Sequence, residues 1–537
     1  MSRFFVRGLL IACIALLVRV AAEPRHVRVP MQDGTELATD VYTPDGEGPW
    51  PVVLLRSTYG RSGQVADEWL EQGYAVVIQD VRGMGDSAGE AHVFYADGWR
   101  EGLADGAATV AWIGAQPWCN GKIGTHGGSA LAITQMLLAP STGGVVVQNM
   151  VATPSNLYAD VAYTGGVLRK RMIEGWLTAI KQPHIIDVYK SHPRYDDYWA
   201  HFDTVSKAGD ITAPALLVNG WYDIFQQGTI DGFVARQERG GEGARGGNFL
   251  IMTPGSHGPD IERDYKMNPN RFDVKASQIR NRIFAHYLKG DSDALAGIPA
   301  VHYYVMGADT PGAPGNEWRT ADAWPPYPTT PTSYYLHPEG KLAAAPPGTE
   351  PEPLSYVFDP ANPVPTHGGA NLLMESGAFD QRKNLEGRQD VLRFRTEPRE
   401  TPLEITGRVA VRLHVSSNAP DTDFTAMLLD IYPEGDAREL NIIDNVRRVK
   451  TRSSYREAAP LLQGPEEIVE LEIDLWSAAW IFDKGHRIGL NISSSNYPRF
   501  EVNPNTGEDF PKDELRKATN TVHISAAHPG ALILPVR

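Results

Sequence analysis

The sequence contains little cysteine, and this limits how the chain can be cross-linked. Its 537 residues include two cysteines, Cys13 and Cys119. Cys13 lies in an N-terminal segment that is predicted to be removed, which leaves Cys119 alone and excludes an intrachain disulfide. Cys119 precedes a short apolar strand pattern, so we interpret it as a structural thiol and not as a nucleophile.

Clustered positive charge and long apolar runs are also lacking. The formal net charge is -15 and no basic run occurs, which argues against nucleic acid or anionic membranes as partners. After residue 22 no apolar stretch is long enough to span a bilayer. P-loop and metal-ligand spacings are missing. We therefore predict a protein that uses no metal or other cofactor and has no membrane partner once processed.

The first 22 residues have the pattern of a secretory signal peptide. Arg3 and Arg7 precede the apolar run LLIACIALLV, and the small residues Ala21 and Ala22 offer a cleavage site. We predict a secreted or periplasmic protein. Lipid anchoring at Cys13 is the alternative, because LIAC resembles an acylation box.

The rest of the chain is predicted to form three parts. Residues 23–150 and 208–325 alternate apolar strand-like runs with helical stretches, which predicts an α/β domain with a parallel sheet. Residues 151–207 are rich in aromatic and basic residues and show no strand pattern, which indicates a helical cap inserted into that domain. Residues 326–537 carry short alternating strands, typical of an all-β jelly roll. Pro and Gly crowd residues 309–352, which indicates a linker or loop-rich junction.

The stretch GTHGGSALA contains a candidate nucleophile, Ser129. It lies between a short apolar strand pattern and a helical pattern, and Gly127 and Gly128 permit the sharp bend that presents a catalytic serine. The competing interpretation is a glycine-rich bend without chemistry. His126 is close in sequence, but it precedes the bend, so we expect it to pack in the sheet and not to act as base.

Two further candidates turn Ser129 into part of a pattern. Asp223 and His257 each follow a predicted strand, and functional groups gather at such strand ends in open α/β sheets. The order Ser, Asp, His is that of an α/β-hydrolase triad. Tyr59 also ends a strand run, and its phenol could join the Ala130 N–H as an oxyanion donor. The alternative for Tyr59 is a core tyrosine.

The chain resembles the cocaine esterase and X-prolyl dipeptidyl-peptidase family of serine hydrolases over essentially its whole mature length. The resemblance rests on LLRSTYG, YAVVIQDVRGMGDSAGE, QPWCNGKIGTHGGSALAITQ, NGWYDIF, PGSHG, DFTAMLLDIYPEG and IDLWSAAWIFDKGHRIGLNISSSNYPRFEVNPNTG. It implies an α/β-hydrolase domain, an inserted helical cap and a C-terminal jelly roll.

The resemblance also implies roles for individual residues. Ser129 would be the nucleophile, Asp223 would orient His257, and Tyr59 and Ala130 would form the oxyanion hole. The family spells its elbow G-x-S-x-x-G, so the non-glycine residue two places after the serine is no objection, and a small alanine stands at the last position here. The family commonly has Tyr where this chain has Ala130, which implies a different pocket wall.

The expected substrate is a small-molecule ester or amide. Family members that bind an α-amino group carry acidic residues after the triad aspartate, whereas Phe225 and its neighbours here are uncharged. This favours a carboxylic ester with an apolar acyl group, in a pocket formed by Phe225, Trp176 and Trp199. The alternatives are an amide-cleaving enzyme (an X-prolyl dipeptidyl-peptidase or a β-lactam side-chain acylase) and a non-catalytic glycan-binding protein. The sequence leaves the oligomeric state open.

Overall fold

The computed structural model describes residues 23–348, 350–512 and 514–537. The predicted signal peptide, with Cys13, lies outside the described residues. In that described part no helix is both long and apolar enough to cross a membrane.

A ten-stranded sheet forms the centre of the N-terminal half. Its strands are β1 (Arg25–Pro30), β2 (Glu36–Tyr42), β3 (Trp50–Ser57), β4 (Ala75–Asp80), β5 (Cys119–Gly128), β6 (Val147–Val151), β9 (Ala215–Tyr222), β10 (Phe249–Ser256), β11 (Val301–Gly307) and β12 (Glu317–Ala321). The spatial order is β1-β2-β4-β3-β5-β6-β9-β10-β11-β12. Pairing is parallel from β4 to β11 and antiparallel at both edges. The carboxyl ends of β3, β5, β9 and β10 therefore meet at one edge of the sheet.

Helices cover both faces of this sheet, as its continuous apolar strands require. The residues of β4 and β9 are all buried, so neither face can be left to solvent. The helices of this domain are α1 (Asp67–Glu71), α2 (Asp105–Gly114), α3 (Ala130–Leu138), α7 (Gln226–Arg239) and α8 (Ala276–Phe284).

The segment between β6 and β9 lies over the site. It holds a π-helical turn (Leu157–Ala162), a small hairpin of β7 (Tyr163–Thr164) and β8 (Val167–Leu168), and the helices α4 (Lys170–Ala179), α5 (His184–Ser191) and α6 (Asp197–Ala200). The expectation of helices without strands was wrong for the hairpin. The sequence did not predict this hairpin because strands of two residues are too short to show a periodic pattern. Its turn packs on the C-terminal half, where the Arg448 N–H donates to the Gly165 carbonyl at 3.0 Å.

The C-terminal half is an all-β sandwich. Its strands are β13 (Thr330–His337), β14 (Lys341–Ala343), β15 (Leu354–Phe358), β16 (Leu392–Arg395), β17 (Leu403–Ser417), β18 (Asp423–Ile431), β19 (Glu439–Arg448), β20 (Val469–Phe482), β21 (Arg487–Ser493), β22 (Ala518–His523) and β23 (Ala531–Val536). β17 pairs antiparallel with β20, β22 and β23, and β18 pairs antiparallel with β19 and β21. This matches the predicted fold class.

The two halves are joined through their sheets. β11 continues past its partners in the first sheet and pairs in parallel with β20, Met306 opposite Trp480. The predicted linker at 309–352 is instead partly ordered as β12, β13 and β14, because each strand finds an edge to pair with despite the surrounding prolines. The domain boundaries at residues 151, 208 and 326 stay predictions.

Candidate active site

Ser129 occupies a sharp turn between β5 and α3. Its backbone angles, φ 55° and ψ −122°, are rare for a residue with a side chain, and such a strained strand-to-helix turn is how an α/β-hydrolase exposes its nucleophile. A Cβ at Gly127 would lie 2.5 Å from the Leu131 Cβ, whereas one at Gly128 would have its nearest neighbour at 3.5 Å. Only Gly127 is therefore required sterically.

The structure brings Ser129, His257 and Asp223 into one hydrogen-bonded chain. The Ser129 Oγ lies 2.9 Å from the His257 Nε2, and the His257 Nδ1 lies 2.7 Å from the Asp223 Oδ2. The other Asp223 oxygen accepts the Phe225 N–H at 2.7 Å. Both side chains behind the serine are buried, so the aspartate holds the imidazole from the protein side while the other ring nitrogen faces the serine.

The loop after Asp223 is fixed by a buried arginine that the sequence did not point to. The Arg169 Nη1 donates to the Ile224 carbonyl at 2.8 Å and to the Asp160 carbonyl at 2.7 Å. Burial and, to a smaller extent, the charge of nearby Arg499 lower the pKa of Arg169 to about 9. Through its two hydrogen bonds, the guanidinium ties the loop after Asp223 to the cap.

Ala130 and Tyr59 are the two residues predicted to donate to an oxyanion. Ala130 is the first residue of α3, and the N–H groups of a first helical turn have no partner within the helix. Tyr59 follows β3, which pairs with β5, the strand that leads to Ser129. The phenol is not in the core: Tyr59 is 56% exposed, and its oxygen accepts the Trp176 indole N–H at 2.9 Å.

An apolar pocket opens on Ser129. Its lining is carbon-rich and holds no charged side chain; it consists of Phe94, Ser129, Ala130, Ile133, Val161, Met172, Ile173, Trp176, Tyr189, Ile224, Phe225 and Leu372. Phe225 also meets the His257 ring edge to face, with centroids 5.6 Å apart. The structure thus places two of the three aromatic residues expected in the pocket, Phe225 and Trp176, at its wall.

Trp199 is the exception and requires a correction. It is fully buried in the cap, donates its indole N–H to the His192 carbonyl at 2.8 Å, and packs against Tyr189 with ring centroids 4.9 Å apart. Trp199 therefore supports the cap behind Tyr189 and does not line the pocket.

His126 lies in the sheet, as its position before the bend predicts. Its Nδ1 is 2.9 Å from the Asn149 Oδ1, and its ring packs edge to face on Trp69. Burial, with a smaller contribution from Arg280, lowers its pKa to about 4. His126 is thus a neutral core residue at pH 7.

Several residues that line the pocket were not predicted from the sequence. Phe94 lines the pocket from a loop after β4, and Leu372 reaches it from the C-terminal half. No local pattern marks either residue, because each contact joins segments that are remote in sequence. Among the described residues, no cluster of three or more His, Cys, Asp or Glu side chains could hold a metal ion.

Models of two protein families match this chain. Residues 33–183 and 178–259 match the X-Pro dipeptidyl-peptidase (S15 family) model, and residues 295–533 match the X-Pro dipeptidyl-peptidase C-terminal non-catalytic domain. The matches cover both halves of the structure.

One relative with a similar sequence and several solved structures match nearly the whole chain. Cocaine esterase of Rhodococcus sp. (strain MB1 Bresler) is 34% identical over 95% of this chain and 98% of its own. A crystal structure of an aminopeptidase from a marine sediment Thaumarchaeota archaeon superposes with a TM-score of 0.81 at 23% identity, covering 100% of this chain and 99% of that one. An α-amino acid ester hydrolase gives 0.80 at 23% identity over 99% and 100% of the two chains.

The structural likenesses establish the fold, and the sequence matches establish the family. This chain belongs to the cocaine esterase and X-Pro dipeptidyl-peptidase family of serine hydrolases, with an α/β-hydrolase domain followed by an all-β domain.

Proposed function

We propose that the protein hydrolyses carboxylic esters with an apolar acyl group, through an acyl-enzyme formed on Ser129. One observation carries the proposal: the hydrogen-bonded chain from Asp223 through His257 to Ser129 ends at the mouth of an apolar pocket.

Acylation follows from this geometry. The His257 Nε2 accepts the proton of the Ser129 hydroxyl as Oγ attacks the ester carbonyl, and Asp223 stabilises the resulting imidazolium. The negative charge on the carbonyl oxygen is received by the Ala130 N–H and the Tyr59 O–H. His257 then returns the proton to the leaving alcohol.

Deacylation repeats the same steps with water. His257 removes a proton from the water that attacks the acyl-enzyme, and Ser129 leaves with that proton restored. No step needs a metal or a cofactor, since two hydrogen-bond donors of the protein stabilise the oxyanion and His257 accepts and returns every proton.

The lining of the pocket favours esters over peptides with a free amino terminus. An ammonium group needs a carboxylate or several acceptors when it is desolvated, and the described lining offers no carboxylate. The relative named cocaine esterase shares this family, but the acyl and alcohol groups that this chain accepts are set by its own wall, including Ala130 and Leu372.

The predicted signal peptide adds a location. We propose that the enzyme acts outside the cytoplasm, on the basis of residues 1–22. Edman or mass-spectrometric sequencing of the amino terminus of secreted protein tests this: cleavage after Ala22 supports the proposal, and an intact Met1 contradicts it.

Kinetics on two substrate classes test the activity. We expect hydrolysis of p-nitrophenyl butyrate and no detectable cleavage of Ala-Pro-p-nitroanilide; the reverse order would assign the chain to the peptidases. Ser129→Ala should abolish the esterase activity. Ser141→Ala is the matched control, because its hydroxyl only bonds the Leu138 carbonyl at the far end of α3.

A further inference from the structure

Trp176 makes a polar contact that its place in an apolar pocket does not require. It comes from cap helix α4, and its indole Nε1 donates to the Tyr59 hydroxyl at 2.9 Å. An indole N–H can only donate, whereas a phenol can both accept and donate. The hydrogen of Tyr59 is therefore excluded from the direction of Trp176.

The hydrogen bond from Trp176 also decides in which direction the Tyr59 O–H points. A phenolic hydrogen prefers the plane of its ring, where two orientations are available. The indole occupies one acceptor direction of the oxygen, so the hydrogen is left to point away from the cap. A hydroxyl that accepts one hydrogen bond also becomes a somewhat stronger donor in the next.

Tyr59 has little else to hold it. The residue is 56% exposed, so packing alone does not select one ring position or one hydroxyl orientation. The strand end that carries it is fixed to the nucleophile's helix, since the Thr134 hydroxyl donates to the Arg56 carbonyl at 3.2 Å. The backbone that carries Tyr59 is thus held in a fixed position relative to Ser129, and the phenol is held in place by Trp176.

Trp176 is itself held from two sides. The ring of Phe94 stacks on it almost in parallel, with an interplanar angle of 9° and centroids 5.7 Å apart. Phe94 adopts a left-handed backbone angle of 67°, a conformation that persists only where its surroundings impose it. Helix α4 is anchored to the all-β domain by the Lys170 ammonium, 2.9 Å from the Glu501 carboxylate.

We propose that Trp176 is a positioning residue for the oxyanion donor: it holds the Tyr59 phenol oxygen and directs its hydrogen toward the carbonyl oxygen on Ser129. The inference rests on the proposed function. It makes the oxyanion hole a composite of the catalytic sheet and the cap, with the all-β domain holding the cap helix in place.

A double-mutant cycle on kcat/KM for p-nitrophenyl butyrate tests this role. Trp176→Phe keeps an aromatic wall but removes the N–H. In the parent enzyme we expect it to lower kcat/KM about fivefold, the effect of one net hydrogen bond, mainly through kcat. In a Tyr59→Phe background the same change should cost less than about twofold, because there is no phenol left to position. Equal losses in both backgrounds would overturn the proposal.

Met172→Leu is the matched control on the same helix. Met172 lines the pocket one turn before Trp176, so its replacement alters the wall without touching Tyr59. We expect its effect to be equal in the two backgrounds. A loss that also disappears in the Tyr59→Phe background would mean that any change of the wall acts through Tyr59, and would contradict a specific role for the indole.

Fluorophosphonate labelling separates this proposal from the proposed function. If Ser129 is labelled in the parent enzyme but the cycle shows no coupling, only the positioning role fails. If Ser129 is not labelled in an active preparation, the assignment of the nucleophile fails, and the positioning role fails with it.

Discussion

The Ser129 hydroxyl and the His257 imidazole lie within 2.9 Å although 128 residues separate them. The fold achieves this because β5 and β10 end at the same edge of one parallel sheet, so turns that follow different strands meet there. Asp223, 34 residues before the histidine, arrives from the end of the intervening strand β9.

Asp223→Asn should remove most of the activity while leaving the fold intact. An amide in place of the carboxylate no longer fixes the His257 tautomer that accepts the serine proton, and comparable changes cost about 10⁴-fold in kcat. The kcat for p-nitrophenyl butyrate and the melting temperature check this together. Asp210→Asn, at an exposed turn, is the control; a loss of less than about tenfold at Asp223 would contradict its role.

The two glycines before Ser129 should respond differently to alanine. Gly127→Ala places a Cβ against the Leu131 Cβ, so we expect a loss of about 1–3 kcal/mol in the free energy of unfolding and slow labelling of Ser129. Gly128→Ala meets only ordinary contacts near Val151 and should change both quantities little. Urea denaturation measures the stability of the two variants, and the rate of fluorophosphonate labelling measures the reactivity of Ser129 in each. Equal effects of the two substitutions would contradict the geometry of the turn at Ser129.

Tyr59→Phe should lower kcat about 10²–10³-fold, the cost of one lost oxyanion donor. Because Tyr59 is exposed, the melting temperature should hardly move. Tyr497→Phe changes another exposed tyrosine, on the all-β domain, and should retain parent kcat. An unchanged kcat in Tyr59→Phe would show that the Ala130 N–H suffices.

Because of His126, the stability of the folded protein should depend on pH. Its pKa is about 4 in the folded protein against an ordinary 6.5, mainly through burial, so below pH 6.5 the unfolded chain binds a proton that the folded one resists. The parent protein should lose stability as the pH falls from 6.5 to 4, by up to about 3 kcal/mol at about 1.4 kcal/mol per pKa unit. Above pH 6.5 this contribution is constant.

Urea denaturation at pH 7 and pH 4.5 measures the effect of His126. His126→Phe should show a smaller loss of stability between these two pH values than the parent, and it should keep measurable esterase activity because the imidazole that contacts Ser129 is that of His257. A parallel pH dependence in parent and His126→Phe would contradict the assignment.

Local patterns in the sequence were enough to predict the large elements. Fully apolar runs such as that of β9 predict buried parallel strands, and residues that follow such strands are brought to one edge by topology alone. This is why Ser129, Asp223 and His257 could be chosen before their distances were known.

Contacts between remote segments were beyond such patterns. Leu372 and Phe94 reach the pocket through packing of the all-β domain and of a loop against the cap, and nothing near either residue signals this. Trp199 illustrates the converse: an aromatic residue in the cap was expected at the pocket, but its bond to His192 holds it in the cap's own core. Aromatic content predicts that a cap packs tightly, and it does not predict which ring faces the substrate.

Covalent labelling with a fluorophosphonate, followed by peptide mass spectrometry to locate the adduct, tests the central claim most directly. A serine activated by His257 should attack the phosphorus, so we predict a single adduct on Ser129 that appears in step with the loss of esterase activity and is absent from Ser129→Ala. Loss of activity with the adduct on any other residue, or full activity retained in Ser129→Ala, would contradict the account.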